Sequence, residues 1–346
     1  MPARILAIET TTPPVAYSQR ELFDQVFSKW YADIPDAEKL FMNTTVKQRF
    51  TSWTPEQLAT RVLTTAERVE LWAESTMDMG RRLMSRLFEQ VDKARIGSFV
   101  MATCTGYVGP SPELQLAGEF NLPSSLRRTF IGHMGCYAAF NVMKTAIDAV
   151  EARPNELVLA NATEVCTVHL RPEATREQVV THALFGDASA SMILGSVDEP
   201  GDGPVILRTR TETVYETTEM MTWTITDTGF RMTLSPYVPF ILGEKIGPLI
   251  EGLCAEEGIS VGDLKWWGIH PGGPKIVDFI GKEMGLTDAQ LRASRYVLAN
   301  YGNCSSATIL LVLEEIMKTD RPAPGEYGVL TGFGPGLTME STLIRF

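Results

Sequence analysis

The sequence of 346 residues predicts an α/β fold. Apolar, strand-like runs alternate with helical stretches along the whole chain, which is the pattern of strands joined by helices. Apolar residues make up 44% of the chain and charged residues 21%, values that exclude disordered and fibrous classes. Polar groups able to do chemistry follow apolar runs and precede helices, where α/β proteins place their active sites. We therefore expect one large or two ordinary domains.

The first half of the chain begins with helices and continues into a sheet. Ser18 to Glu21 reads as a capping box that opens a helix toward Trp30, and a long helical region follows over about 67–91. Two further helices are expected to start at Ser111 and at Cys136. The predicted strands of this sheet are 96–102, 127–131, 157–160 and 188–194.

The clearest linker is Glu-Pro-Gly-Asp-Gly-Pro over 199–204, and it divides the chain into two halves, 1–200 and 201–346. Each half carries a polar candidate at the start of a helix, which suggests a duplication, although no repeat is visible in the residues themselves. The elements predicted for the second half are a strand-and-turn segment 205–234, helices 238–256, 275–284 and 304–318, a strand ending at His270, and paired strands 327–331 and 337–346.

Charge and cysteine content exclude several classes of function. The net charge of -11 and the scarcity of Lys/Arg clusters argue against nucleic acid or an anionic membrane as a main partner. The apolar N-terminal stretch is too short for a signal peptide, and no run approaches the ~18 apolar residues of a membrane helix, so we expect a cytoplasmic protein. Five cysteines without a CxxC pair fit neither a disulfide framework nor a zinc site.

Cys136 is the first candidate for chemistry. The apolar run up to Ile131 leads through Gly132-His133-Met134-Gly135 into Cys136, and an almost wholly apolar helix follows. A thiol at a helix N-terminus is favoured as thiolate, so we expect a pKa below the usual value of about 8.5. Taken alone, a cysteine in this setting is more often a small buried hydrophobe.

His270 and Asn303 complete a set of groups that suits thioester chemistry. His270 ends a buried strand, and Pro271-Gly272-Gly273-Pro274 turns the chain at once into a helix. Asn303 lies in Tyr-Gly-Asn-Cys-Ser-Ser, again before a helix. A thiol nucleophile needs a base, and an enolate or oxyanion needs preorganised N–H donors. The other histidines, His133, His169 and His182, are expected to fill a turn beside the nucleophile, a strand end and a helix surface.

These motifs occur in the order and spacing of the type III polyketide synthases, the chalcone-synthase-like enzymes, and the chain resembles that family from Pro13 to its end. The motifs are G-C before an apolar helix, A-L-F-G-D at 183–187, W-G-I-H-P-G-G-P at 267–274, G-N-C-S-S-A at 302–307 and G-F-G-P-G-L-T at 332–338. The alternative is a single-step ketoacyl-ACP synthase of the initiating type, whose histidine is usually followed by Gln-Ala-Asn. A catalytically inactive partner subunit would be favoured only by a broken triad.

The resemblance implies a thiolase fold of duplicated halves in αβαβα layers, a homodimer, and decarboxylative Claisen condensation of a malonyl thioester onto an acyl group. It implies that Cys136 holds the acyl chain and that His270 and Asn303 bind the malonyl carbonyl. Further substrate-binding positions implied by it are the gatekeepers Phe185 and Met232, the cavity residues Cys104, Cys166, Trp223 and Ser305, and the loop Gly332, Phe333, Gly334, Pro335 and Gly336.

The resemblance also implies substrates carried as thioesters, acyl-CoA and malonyl-CoA, with no bound cofactor or metal. The basic cluster that grips coenzyme A is thin, because only Lys39, Lys47 and Arg49 are candidates and Asn43 takes one expected basic place. An acyl carrier protein is therefore an alternative donor. The loop that reaches the partner subunit has Gly109-Pro110 where the family often has Met before Pro.

Overall fold

The structure, a computed structural model, describes residues 2–346. Within that range the chain forms a large mixed sheet and two small hairpins. The strands are β1 Ala3–Thr11, β2 Ala16–Ser18, β3 Gln48–Phe50, β4 Ile96–Thr103, β5 Arg127–Gly132, β6 Leu157–Val165, β7 Asp187–Ser196, β8 Val205–Thr213, β9 Met221–Thr226, β10 Gly229–Leu234, β11 Leu264–Ile269, β12 Tyr327–Gly334 and β13 Thr338–Arg345.

Helices cover both faces of the large sheet. They are α1 Gln19–Leu22, α2 Ser28–Trp30, α3 Ala37–Met42, α4 Pro55–Thr60, α5 Thr65–Leu87, α6 Pro112–Glu119, α7 Ala138–Ala152, α8 Arg176–Leu184, α9 Val238–Glu256, α10 Pro274–Glu283, α11 Asp288–Tyr301 and α12 Thr308–Glu315. A π-helical turn, Phe23–Phe27, joins α1 to α2, so the helix predicted from Ser18 to Trp30 is nearly continuous. Within the described range, no helix combines the length and apolar character needed to cross a membrane.

The order of the strands shows that the two halves repeat one another. The large sheet runs β11-β12-β13-β8-β1-β7-β6-β4-β5. From β1 outward the pairings are antiparallel, antiparallel and parallel, and from β8 outward through β13, β12 and β11 they follow the same sequence. The duplication inferred from the sequence is therefore present in the topology.

The helices and strands form five layers. α7 and α12 lie in the middle and share one apolar core with strands from both halves. α5 and α6 pack on the outer side of the first-half strands, and α9, which contacts β8 and β13, packs with α10 on the outer side of the second-half strands. This αβαβα arrangement confirms the predicted fold class and places the starts of α7 and α12 in the same interior region.

Several elements have bounds that the sequence predicted, and others were missed. The helix Val238–Glu256 agrees with its prediction, whereas the long helix Thr65–Leu87 ends before Val91. The sequence analysis did not predict β1 or α11. α11 has mixed polarity, but its start carries a capping box in which the Thr287 hydroxyl accepts from Gln290 N and the Gln290 side chain accepts from Thr287 N.

Candidate active site

The nucleophile candidate lies on a tight turn between β5 and α7. The turn Gly135–Tyr137 is a short 3₁₀ segment that leads directly into α7. Gly135 has φ +70°, and a Cβ there would collide with the ring of Pro335. Glycine therefore lets the loop at Pro335 close against the Cys136 turn. The Cys136 side chain is buried.

His270 is fixed by its backbone and has a free ring. Its N–H donates to Thr331 O at 2.8 Å, which ties the residue to β12. The imidazole is fully buried beside Phe333, with ring centroids 5.4 Å apart. Neither ring nitrogen has a hydrogen-bond partner among residues 2–346. A buried imidazole in this state can take a proton from a thiol or donate one to a bound carbonyl.

Asn303 is held by backbone bonds to the segment that carries Phe185. Asn303 N donates to Leu184 O at 2.8 Å, and Gly186 N donates to Asn303 O at 3.0 Å. This close approach needs glycine at 302, where φ is +73° and a Cβ would lie 2.5 Å from Leu184 O. The two segments are therefore locked together beside the site.

The Asn303 side chain is oriented by its oxygen. Oδ1 accepts a hydrogen bond from Ser305 N at 2.9 Å and lies 3.4 Å from the Thr308 hydroxyl. With the oxygen occupied, the amide N–H groups of Asn303 remain available in the cavity that Cys136 also lines, and Ser305 and Asn303 favour the ionised form of the Cys136 thiol. This geometry makes Asn303 a preorganised donor at the site.

Two adjoining cavities meet at Cys136. The outer cavity contains Cys136, His270 and Asn303 together with Phe333. Cys136, Phe185 and Met232 line both this cavity and a second one, which we call the inner cavity. The inner cavity is also lined by the sequence-predicted Cys104, Cys166, Trp223, Ser305 and Pro335.

Trp223 forms a fixed part of the inner wall. Its Nε1 donates to Cys104 O at 2.7 Å, and its ring stands edge-on to His169 and Phe230. The glycines of the loop 332–336 place their backbone close to the site. Gly332 packs against Phe140 and the Cβ of His270, Gly334 lies against Cys136 N, and Gly336 faces open space.

Burial is the main influence on the pKa values of Cys136 and His270. It raises the pKa of the Cys136 thiol to about 12, although hydrogen bonds from Ser305 and Asn303 oppose the rise. Burial also lowers the pKa of His270 to about 3. Burial therefore opposes the low thiol pKa that we expect from the helix N-terminus. A thiolate in this cavity needs an imidazolium to balance it.

Arg49, one of the three carrier-binding candidates, is buried, so this part of the sequence prediction is wrong. Lys39 and Lys47 are exposed, but Arg49 has 0% exposure. The Arg49 guanidinium donates to Phe185 O at 2.7 Å and to His182 O at 2.5 Å and stacks near Phe27 and Phe41. Arg49 therefore supports the Phe185 segment from inside and does not face a carrier.

His182 is also a correction, because it is buried in α8 instead of lying on a helix surface. Its Nδ1 lies 2.5 Å from the Tyr31 hydroxyl, and burial lowers the pKa of the ring to about 3. His169 follows β6 in a turn, with Nε2 2.6 Å from Thr105 O and its ring stacked on Phe230. The rings of His182 and His169 therefore both contribute to packing inside the protein.

Glu164 is a site residue that the sequence analysis missed. Its fully buried carboxylate accepts from Cys104 N at 3.0 Å, the Thr105 hydroxyl at 2.9 Å and the Ser306 hydroxyl at 2.5 Å. Burial raises its pKa, and its described contacts include no cation. The sequence signal that could have identified it is a glutamate inside the apolar strand 157–165. A carboxylate in a buried strand is rare and needs hydrogen-bond partners.

A layered α/β fold in which a cysteine, a histidine and an asparagine share one buried cavity defines a thiolase-fold condensing enzyme. The model of the N-terminal domain of chalcone and stilbene synthases matches residues 1–198, and the model of their C-terminal domain matches residues 206–346. The chain therefore belongs to the chalcone and stilbene synthase family, the type III polyketide synthases, which are acyltransferases that use coenzyme A thioesters.

Individual relatives agree with this assignment. The alpha-pyrone synthesis polyketide synthase-like Pks18 of Mycobacterium tuberculosis is 31% identical over 81% of this chain and 73% of its own. The 3,5-dihydroxyphenylacetyl-CoA synthase of Amycolatopsis orientalis is 27% identical over 99% of this chain and 93% of its own.

Two solved structures share the fold. PKS-I of the brown alga Ectocarpus siliculosus has a TM-score of 0.93 at 24% identity, covering 99% of this chain and 98% of its own. The 1,3,6,8-tetrahydroxynaphthalene synthase of Streptomyces coelicolor A3(2) has a TM-score of 0.92 at 24% identity, covering 99% of both chains.

Proposed function

We propose that this polyketide synthase extends an acyl group held on Cys136 with malonyl thioester units, through His270 and Asn303. The observation that carries the proposal is that the thiol, an unpartnered imidazole and an oriented carboxamide line one cavity, the outer cavity. These groups supply a nucleophile, a base and an oxyanion donor.

The loading step uses Cys136 and His270. The thiol proton passes to a ring nitrogen of His270, and the thiolate attacks the carbonyl of the incoming acyl thioester. The new bond joins Cys136 Sγ to the acyl carbon, the carbon–sulfur bond to the carrier breaks, and the carrier thiol leaves with the proton that His270 had taken, so that His270 is neutral again. Burial favours this paired transfer, because it leaves no isolated charge in the cavity.

The extension step uses the Asn303 amide and the ring N–H of neutral His270 as hydrogen-bond donors. Both hydrogen bond to the thioester carbonyl of the malonyl unit, so the electron pair released when carbon dioxide departs is held as an enolate. The enolate carbon attacks the acyl carbonyl on Cys136, a carbon–carbon bond forms, and Cys136 is released as thiolate. The Cys136 thiolate then attacks the thioester of the extended chain and takes it from the malonyl carrier, whose thiol leaves, so that the cycle can repeat. Repetition followed by ring closure to a pyrone or an aromatic ring accounts for the kinds of product named for its relatives.

Product analysis tests this function against the single-step alternative. Incubation with malonyl-CoA and a panel of acyl-CoA starters, followed by mass spectrometry, should yield products with more than one malonyl-derived unit, including a ring. A ketoacyl chain extended once and never further, with every starter, would favour the ketoacyl synthase.

The pH dependence of thiol reactivity is expected to reveal the pairing with His270. In the native protein, iodoacetamide inactivation should change little across the neutral range, because the proton moves within the pair. In His270→Ala the thiol ionises alone with its raised pKa of about 12, so inactivation should be slower and rise about tenfold per pH unit. His133→Asn, at an exposed position beside the turn, is the control. The same pH profile in native protein and His270→Ala would rule out the pairing.

Substrate delivery is expected to depend little on phosphate contacts. With Arg49 buried, the exposed Lys39 and Lys47 remain from the predicted cluster, and each exposed ion pair contributes at most about 1 kcal/mol. We therefore predict that at least one acyl group is used better from an acyl carrier protein than from coenzyme A. The measurement is kcat/KM for one acyl group on both carriers at low and physiological salt. Equal or better turnover from coenzyme A at both salts would refute it.

We further propose that the enzyme works as a homodimer in the cytoplasm. β5 is an edge strand of the large sheet, and such an edge is a template for pairing with a second copy. Exposed apolar side chains next to β4 and β5 support this face, namely Tyr107, Val108 and Met134. Light scattering of the native protein and of Val108→Asp tests it, with a dimer expected for the former and weakened association for the latter.

A further inference from the structure

Arg49 closes the C-terminal end of α8, where the Phe185 segment, residues 182–186, leaves the helix. A helix leaves its last four carbonyl groups without partners inside the helix. Nη1 of Arg49 donates to two carbonyls of this segment, His182 O at 2.5 Å and Phe185 O at 2.7 Å. Nε and Nη2 have no hydrogen-bond partner among residues 2–346, so Nη1 makes both bonds alone. A cation is also favoured at a helix C-terminus by the helix dipole, so Arg49 acts as a side-chain cap.

This cap is enclosed in the interior of the protein. Arg49 has no exposed surface, and its guanidinium carbon lies 5.6 Å from the ring centroids of both Phe27 and Phe41. Burial lowers the pKa of Arg49 to about 9, and the charge of the buried Asp187 opposes this shift. The group is therefore a cation at neutral pH, and the close-packed surroundings hold it in one place.

The capped segment is bonded directly to Asn303. Phe185 and Asn303 form a parallel β-bridge, and two backbone hydrogen bonds of 2.8 and 3.0 Å hold the bridge together. The glycines on either side pack on the Arg49 side chain, because a Cβ added at Gly186 would lie 3.3 Å from the Cβ of Arg49 and one at Gly302 would lie 3.6 Å from it. Arg49 therefore contacts both segments of the bridge.

Asn303 depends on this bridge for its position in the outer cavity. The bridge holds its backbone, and its side-chain oxygen accepts from Ser305 N at 2.9 Å. Phe185 lines both active-site cavities. Misplacing a reacting or catalytic group by about 1 Å can lower a rate by about 10². A displaced Phe185 segment would therefore disturb the oxyanion donor as well as a wall of both cavities.

We propose that Arg49 is a positioning residue, which fixes Asn303 for decarboxylation through the bridge to Phe185. Arg49 lines neither active-site cavity, so it acts through the bridge and not on the substrate. Loading depends on Cys136 and His270 and does not use Asn303. Arg49 should therefore affect the extension step more than the loading step. This proposal rests on the role proposed above for Asn303.

The test compares Arg49→Met with the same substitution at a second buried arginine. Arg68 is 1% exposed, and its guanidinium also donates to backbone carbonyls, none of them in the Phe185 segment. These carbonyls are those of Leu63, Val168 and Leu170. Arg68→Met thus removes an equally buried guanidinium from its carbonyl partners and leaves the bridge to Asn303 intact. It is the matched control for a purely structural effect.

Two rates are measured below the unfolding transition of every variant. One is acylation of Cys136 by acetyl-CoA, followed by mass spectrometry of the intact protein, and the other is carbon dioxide release from malonyl-CoA. Arg49→Met should lower the rate of decarboxylation about tenfold or more and the rate of acylation by less than about threefold. Arg49→Lys keeps a cation with N–H donors and should lie between Arg49→Met and the native protein. Arg68→Met should keep the native ratio of the two rates.

The same ratio of the two rates in native protein, Arg49→Met and Arg68→Met would overturn the proposal. If Arg49→Met does not fold, Arg49→Lys decides against Arg68→Lys, and a native ratio in Arg49→Lys overturns the proposal. Asn303→Ala in the same assay separates this inference from the proposed function. A native ratio in Asn303→Ala contradicts the role of Asn303 and with it the role of Arg49. A lowered ratio in Asn303→Ala beside a native ratio in Arg49→Met overturns the positioning role alone.

Discussion

Cys136→Ala is expected to carry no acyl adduct and to make no polyketide, with a loss on the order of 10⁶ in turnover, as for removal of other enzymatic nucleophiles. Cys136 lines both active-site cavities, the outer one together with His270 and Asn303 and the inner one together with Ser305. The substitution removes the group that we propose holds the growing chain. The donors of His270 and Asn303 remain, so decarboxylation of malonyl thioester should persist.

The other cysteines give the matched controls. All five are free and buried, and Cys104 and Cys166 line the same inner cavity as Cys136. Cys104→Ala, Cys166→Ala and Cys304→Ala should each still acquire an acyl group when the intact protein is weighed by mass spectrometry. An adduct that survives in Cys136→Ala would contradict the assignment of the nucleophile.

Asn303→Ala is expected to differ from Cys136→Ala in both steps. It should retain acylation, and its rate of decarboxylation should fall by about 10²–10³. Ser305 N and the Thr308 hydroxyl occupy the side-chain oxygen, so the amide N–H is the part of Asn303 available to an enolate oxygen. Carbon dioxide release from malonyl-CoA and mass analysis of the loaded protein measure the two steps separately.

Asn300→Ala is the control, because its side chain bonds only to Tyr296 O on the surface of α11. It should resemble the native protein in both steps. If Asn303→Ala loses acylation and decarboxylation by the same factor, its role is to hold the Phe185 segment, and the oxyanion assignment fails.

The sequence predicts the local structural setting of Cys136, His270 and Asn303 because each of them lies in a short local motif. Cys136 and Asn303 precede helices, and His270 follows a strand, so neighbouring residues alone indicate their setting. The close approach of Gly302 to Leu184 explains why the glycine of that motif is needed.

Contacts between distant parts of the chain could not be inferred in this way. The Glu164 carboxylate accepts hydrogen bonds from Cys104 N and from the Ser306 hydroxyl. No local sequence pattern links these two residues to position 164. Arg49 was wrongly placed for a related reason. Its charge suggests the surface, but packing against Phe27 and Phe41 and bonds to the α8 end bury it.

The pKa of Cys136 is a third property that is hard to predict from the sequence. A helix N-terminus is visible in sequence and favours a thiolate, but the depth of burial is not visible and acts in the opposite direction. Burial raises the pKa of the Cys136 thiol, so we propose that the imidazole of His270, which lines the same cavity, activates it.

Mass analysis of the Cys136 peptide during turnover tests the central claim most directly. Protein mixed with an acyl-CoA starter and isotopically labelled malonyl-CoA, then quenched and digested, should carry the starter and starter-plus-malonyl-derived units on Cys136, with label only in the added units. Asn303→Ala should carry the starter alone. Labelled product formed while Cys136 stays unmodified, or chains found on another cysteine, would contradict the account.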